Sequence, residues 1–152
     1  MSIDLRERKK LKRRTISLMD DWVFKAVIGD PEDEVCLSSF FQAIDPDFRK
    51  VRLLPGEKKV GHPDDKAIRY DICGVINEKI YFDLEVQQNG NPEEQGIRIV
   101  FYLSRLLSGQ RTKGKDYREL RPVRVIMITN FRFFDDPEVS SDVFYLVGEK
   151  TG

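Results

Sequence analysis

Tyr81-Phe82-Asp83-Leu84-Glu85-Val86-Gln87 is the stretch whose reading decides the fold. Its residues alternate, so a β-strand here places Phe82, Leu84 and Val86 on one face and Asp83, Glu85 and Gln87 on the other. The first set suits a core, and the second is a row of oxygen-bearing groups. Upstream, Ile68 to Ile76 is another strand-like run, and the polar link Asn77 to Lys79 between the two predicts an antiparallel hairpin. With all three link residues in the loop, Ile76 pairs with Ile80 and Asp71 falls opposite Glu85. Cross-strand Cβ atoms lie about 4.5–5.5 Å apart, close enough for two carboxylates to share one cation. With only Asn77 and Glu78 in the loop, Asp71 faces Leu84 instead.

Two carboxylates held together without a cation repel, and one tends to stay protonated. A hard divalent ion with oxygen ligands, magnesium above all, resolves that conflict. The alternative is an ordinary half-exposed strand whose Asp83, Glu85 and Gln87 merely face water. Asp71 speaks for the metal, because it interrupts an apolar run in which an acid has no packing role.

Working outward, Trp22, Val23, Ala26 and Val27 repeat at helical spacing, with Asp20 or Asp21 placed to cap the start and Gly29 to end the helix. After Pro31, an apolar stripe of Val35, Leu37, Phe40 and Phe41 predicts a second helix that stops before Asp45-Pro46. Both helices are expected to pack on a sheet. Lys50 to Leu54 reads as a short strand, followed by a polar loop through Gly56, Gly61 and Pro63. From Glu93 to about Gln110 the pattern is helical, with Ile97, Val100, Phe101, Leu103 and Leu107 on one broad apolar face. Val125 to Ile128 suits a strand buried on both faces, and Val143 to Val147 is a further strand candidate. No internal repeat occurs. The class is α/β.

At 152 residues and 40% hydrophobic content, the chain has the length of one domain with one core. Lys plus Arg (26) equals Asp plus Glu (26), so any attraction for a polyanion has to come from local patches. One patch is the basic N-terminal arm of residues 1–15, with Arg6, Arg8, Lys9, Lys10, Lys12, Arg13 and Arg14; it reads as a solvated tail or as a phosphate-touching arm. Another is Arg111, Lys113 and Lys115 around Gly114. Cys36 and Cys73 lie far apart in apolar runs, which argues against a zinc site or a disulfide framework. His62 reads as a loop residue, since no serine or cysteine partner for a hydrolytic triad is evident. No stretch approaches the roughly 20 apolar residues that span a bilayer, and the charged N-terminus leads into no apolar signal core. A cytoplasmic protein without membrane association is the expectation.

Tyr70-Asp71-Ile72, Phe82 to Gln87, the helix around Arg98 to Tyr102 and Gly114-Lys115-Asp116-Tyr117-Arg118-Glu119-Leu120 together resemble the PD-(D/E)XK nuclease family of recombination-promoting nucleases and transposases. Asp21-Trp22-Val23-Phe24-Lys25 looks like that family's opening helix, so the resemblance runs from about Asp20 to Phe134. It implies a restriction-endonuclease-like core, a central mixed sheet flanked by helices, over residues 16–152. It implies too that Asp71, Glu85 and Gln87 are the catalytic residues, with Asp71 and Glu85 holding magnesium or manganese. Gln87 stands where many members of the superfamily carry lysine and cannot supply that positive charge. Tyr70 replaces the proline of the superfamily's name.

The implied reaction is metal-dependent hydrolysis of a DNA phosphodiester, with Lys25, Arg98, Arg105, Arg111, Lys113 and Lys115 as candidate phosphate contacts. The alternatives are a catalytically silent nucleic-acid-binding or assembly domain that keeps the fold, and an oligomer interface, a homodimer among the options, built on the polar strand face and the apolar helix Ile97 to Leu107. The chain ends sooner after its last expected strand than members of the family often do, which leaves a natural short member and a C-terminal truncation both open.

Overall fold

Residues 17–54, 71–110 and 116–145 are described by a computed structural model. Their elements are α1 (Asp21–Ile28), α2 (Glu34–Ile44), β1 (Val51–Leu53), β2 (Ile72–Ile76), β3 (Ile80–Gln87), α3 (Pro92–Ser108) and β4 (Val123–Thr129), with a 3-10 turn at Tyr117–Glu119 before β4. The basic arm, His62, Ile68 to Tyr70, Arg111 to Lys115 and the end of the Val143 to Val147 candidate lie outside the described residues.

Short polar side chains set the helix starts. Asp33 accepts the Cys36 N–H at 2.9 Å to cap α2, and Asn91 accepts the Glu93 N–H at 2.8 Å to cap α3, with Pro92 at its first position. Asp20 precedes α1 but makes no side-chain capping bond. Its carboxylate accepts instead from the Gln88 side chain at 2.8 Å, which ties the start of α1 to the end of β3.

The sheet order is β1-β2-β3-β4, with β1, β2 and β3 antiparallel and β4 parallel to β3. The parallel pair needs a crossover, and α3 provides it. In the hairpin Ile76 pairs with Ile80 and Ile72 with Leu84, so the loop is the three-residue form. Asn77 and Glu78 have φ of 50° and 62°, a region that asparagine tolerates better than most residues. Asn77 also anchors the turn: its Oδ1 accepts from the Arg49 and Lys50 N–H groups, both at 3.0 Å, and its Nδ2 donates to the Asp47 carbonyl at 2.7 Å. Long-range bonds to the segment before β1 thus select the register.

Ile72, Ile76, Phe82, Leu84 and Val86 meet Phe24, Ile28, Leu37, Phe41 and Phe48 in one core, where the Phe41 and Phe82 rings lie 4.7 Å apart. The buried stripe of α1 is Phe24 and Ile28, which corrects the expectation for that helix: Trp22, Ala26 and Val27 are exposed. In α2 the same correction applies to Val35, while Leu37 and Phe41 are buried as expected. Gly74 pairs with Phe82, and a Cβ there would collide with the Arg52 carbonyl oxygen and lie 2.6 Å from the Phe82 ring. Gly74→Ala is therefore expected to cost about 1–3 kcal/mol by overpacking, read as a lower urea midpoint at unchanged m-value.

The other face of the sheet is covered by α3, which packs on β3 and β4. Half-exposure of that face, one of the two sequence readings, is therefore ruled out for Asp83 and Glu85, which are both buried. Helix α3 turns Gln95, Arg98, Ile99, Tyr102, Leu103 and Leu106 away from solvent and leaves Ile97, Val100, Phe101 and Leu107 exposed. Val125 to Ile128 lies within β4 but is only half-buried, because β4 is an edge of the described sheet with no further described strand beside it. Val143 to Tyr145 is exposed and forms no strand. Among the described residues, no helix is long and apolar enough to cross a membrane.

Candidate active site

Asp71 immediately precedes β2, and the hairpin register carried one residue past the Ile72–Leu84 pair sets it opposite Glu85. Two residues away on the same face of β3 is Asp83. Asp83 and Glu85 are 0% and 2% exposed. Both oxygens of Asp83 and Oε1 of Glu85 have no hydrogen-bond partner. Buried carboxylate oxygens without donors are costly in a folded chain, so these three call for an explanation beyond packing.

Two cations flank the acids. Lys25 of α1 places its ammonium 2.8 Å from Asp71 Oδ1 and 2.8 Å from Asp21 Oδ1. Partial burial pulls the Lys25 pKa down, but the bonds and charges of Asp21 and Asp71 outweigh it and leave it above the ordinary value. From α3, Arg98 donates through Nη1 to Gln87 Oε1 at 3.1 Å and through Nη2 to the Tyr102 hydroxyl at 3.2 Å. Its Nη2 also lies 3.7 Å from Glu85 Oε2.

Burial, then the charges of Glu85 and Asp71, push the Asp83 carboxyl up to about 8. Asp83 and Glu85 can share a hydrogen bond only when one of them is protonated, and that bond favours the proton further. Burial followed by the Asp71 charge pushes Glu85 up to about 7, opposed by the Asp71 backbone N–H and by Arg98 and Lys25. A site that holds its protons this tightly is one in which a cation can take their place.

Lys25, Asp71, Glu85, Gln87 and Arg98 are thus brought together from α1, the β2–β3 hairpin and α3. Arg105 follows Arg98 by two helical turns on α3, while Arg111, Lys113 and Lys115 fall outside the described residues. Sequence reasoning placed Asp83 on the right face but gave it no part in the site. It also passed over Gln95, 2% exposed with an unpartnered Oε1, and Tyr102. The available signal was the spacing of Gln95, Arg98 and Tyr102, which puts all three on one side of α3.

A family model described as PD-(D/E)XK nuclease family transposase matches residues 18–152. The chain belongs to that family. No curated protein matches it at a significant level, and no solved structure does. The four-stranded mixed sheet flanked by helices agrees with the PD-(D/E)XK nuclease fold, and the match takes in α1, the hairpin and α3 together. PD-(D/E)XK nucleases generally use divalent metals. The acids of this PD-(D/E)XK chain suit such an ion: every candidate ligand is a hard oxygen, three buried carboxylate oxygens lack a partner, and Asp71 already accepts a cationic ammonium. Among the described residues, no three His, Cys, Asp or Glu side chains converge as a metal cluster.

Proposed function

We propose that this chain is a metal-dependent DNA endonuclease that hydrolyses phosphodiester bonds at the open end of the β2–β3 hairpin, where β2 begins and β3 finishes. The observation that carries the proposal is the cluster of buried carboxylates beside Asp71, in which both oxygens of Asp83 and Oε1 of Glu85 have no hydrogen-bond partner, an arrangement that costs stability while the acids are charged and that a bound cation would relieve. Asp71 and Glu85 would hold magnesium or manganese. The ion, when bound, supplies positive charge at a phosphoryl oxygen and an acidified water.

The protein's own groups do the rest. Asp71 and Glu85 act as ligands rather than proton carriers, and α3 keeps bulk water from the buried side of Glu85. Gln87, on the same sheet face, orients a water or a phosphate oxygen. Lys25 stands 2.8 Å from Asp71 Oδ1, where its ammonium would face a phosphate oxygen of a substrate bound beside that acid. Arg105 on α3, and Arg111, Lys113 and Lys115 in the sequence, are the further candidate phosphate contacts of this reading.

The test is incubation with supercoiled plasmid and either magnesium or manganese, beside an EDTA control. Nicking that requires the metal is expected, with manganese binding by calorimetry that weakens in Asp71→Ala. Plasmid binding without cleavage, together with no measurable metal affinity, would sink the proposal in favour of a silent nucleic-acid-binding domain. The exposed Ile97, Val100, Phe101 and Leu107 of α3 favour a homodimer as part of the same reading, since among the described residues this apolar helix face is left uncovered.

A further inference from the structure

Gln87 poses a chemical difficulty for the endonuclease proposal, because a carboxamide carries no charge where many superfamily members have lysine. The surroundings of Gln87 supply an answer. A guanidinium has five N–H donors and no acceptor, so the Gln87 atom that faces Arg98 Nη1 at 3.1 Å has to be the carbonyl oxygen. The amide NH2 is then turned away from Arg98, on the sheet face that Gln87 shares with Glu85.

Arg98 is itself fixed. Its Nη2 donates to the Tyr102 hydroxyl at 3.2 Å, its guanidinium lies 5.6 Å from the Tyr102 ring centroid, and Nη2 sits 3.7 Å from Glu85 Oε2. The side chain is 35% exposed, so it is a wall of the site rather than a free surface arm.

We propose that Arg98 and Gln87 act as one unit: the guanidinium orients the Gln87 carboxamide as an N–H donor and supplies, beside Glu85, the positive charge that a lysine at position 87 would bring. Arg98 is in this sense a positioning residue, and the proposal rests on the endonuclease reading. A lysine at position 87 would set an ammonium against the guanidinium. Glutamine and arginine are therefore a matched pair, and each choice makes sense only with the other. Lysine at position 98 cannot replace the fork, because one ammonium does not reach Gln87 and Tyr102 with fixed planar geometry.

The experiment uses the full chain with plasmid and manganese. Arg98→Ala is expected to lower kcat by about 10²-fold with little change in KM, the signature of an interaction made in the transition state. Arg98→Lys recovers little. Gln87→Lys alone is impaired, yet Gln87→Lys combined with Arg98→Ala recovers at least about tenfold over Arg98→Ala, because the ammonium now stands where the guanidinium charge stood. A purely structural Arg98 predicts no such rescue, and a simple phosphate contact predicts a raised KM with kcat preserved; either result overturns the proposal.

A second readout needs no activity. The side-chain amide signals of Gln87 in a 15N spectrum should move toward free-glutamine values in Arg98→Ala. If the wild-type chain cuts nothing, the endonuclease reading falls, and the Gln87 signals still decide the pair: unchanged signals refute it.

Discussion

Glu85→Gln drops metal-dependent plasmid nicking by about 10²–10³-fold or more while the chain remains folded. The substitution keeps the shape of a side chain that is 2% exposed, so packing beneath α3 is preserved. What it removes is the charge. Without it, Asp71 is the only remaining carboxylate of the clasp, and manganese affinity measured by calorimetry falls in parallel with activity. Stability should move the other way. Glu85 has an unpartnered Oε1 and a carboxyl pushed up to about 7, so in chelator at pH 8 the neutral amide is tolerated at least as well as the anion. A variant that binds metal poorly, cuts poorly and melts no lower than the parent has lost a ligand and not a strut. Cleavage at parental rates by folded Glu85→Gln would remove Glu85 from the proposed site.

Asp83→Asn is expected to stabilise the metal-free chain at pH 8.5 by about 2–3 kcal/mol and to flatten its stability profile against pH. In the folded chain Asp83 is raised from 3.8 to about 8 and Glu85 from 4.5 to about 7. Between about pH 4 and pH 8 the unfolded chain has therefore released protons that the folded chain still holds. Stability falls with rising pH wherever the unfolded state binds fewer protons. The contribution of these groups is complete below about pH 4 and is lost as pH climbs through 7 and 8. Asparagine in place of Asp83 removes the larger of the two titrations and the repulsion it exerts on Glu85. Urea unfolding in EDTA at pH 5.5 and 8.5 measures the effect, and equal pH slopes for parent and variant would contradict it. Magnesium added at pH 8.5 should restore part of the parent's loss, because binding to the folded state alone shifts the equilibrium by mass action.

Asp83 also marks where sequence reading stopped short. Alternation over Phe82 to Val86 identified which residues share a face, since a period of two depends only on backbone pleating. It could not say whether the polar face meets water. That depends on where α3 lies, and α3 is placed by a crossover between β3 and β4 with its own burial to satisfy. The same limit explains α1 and α3. Trp22, Val27, Ile97, Val100 and Phe101 are apolar at helical spacing yet exposed, while Phe24, Gln95 and Arg98 point inward. Helical spacing identifies a stripe, but the stripe that packs is chosen by the surface it meets, and here α3 meets a strand bearing two acids.

The sequence alone determined the order and approximate bounds of the helices and the four strands that form the sheet, the hairpin, the pairing of Asp71 with Glu85 under a three-residue loop, and the family. All but the family rest on local periodicity, turn chemistry and side-chain type, which the chain carries wherever it folds, and the family rests on the resemblance of its motifs in their order and spacing. Only the tertiary structure decided between the two hairpin registers, through the bonds from Asn77 to Asp47, Arg49 and Lys50. Only it sealed Asp83 and Glu85 under α3 and set Lys25 and Arg98 at the two ends of the acidic cluster. The physical reason is that burial and charge proximity belong to pairs of residues far apart in the chain, and no local pattern reports the distance between them.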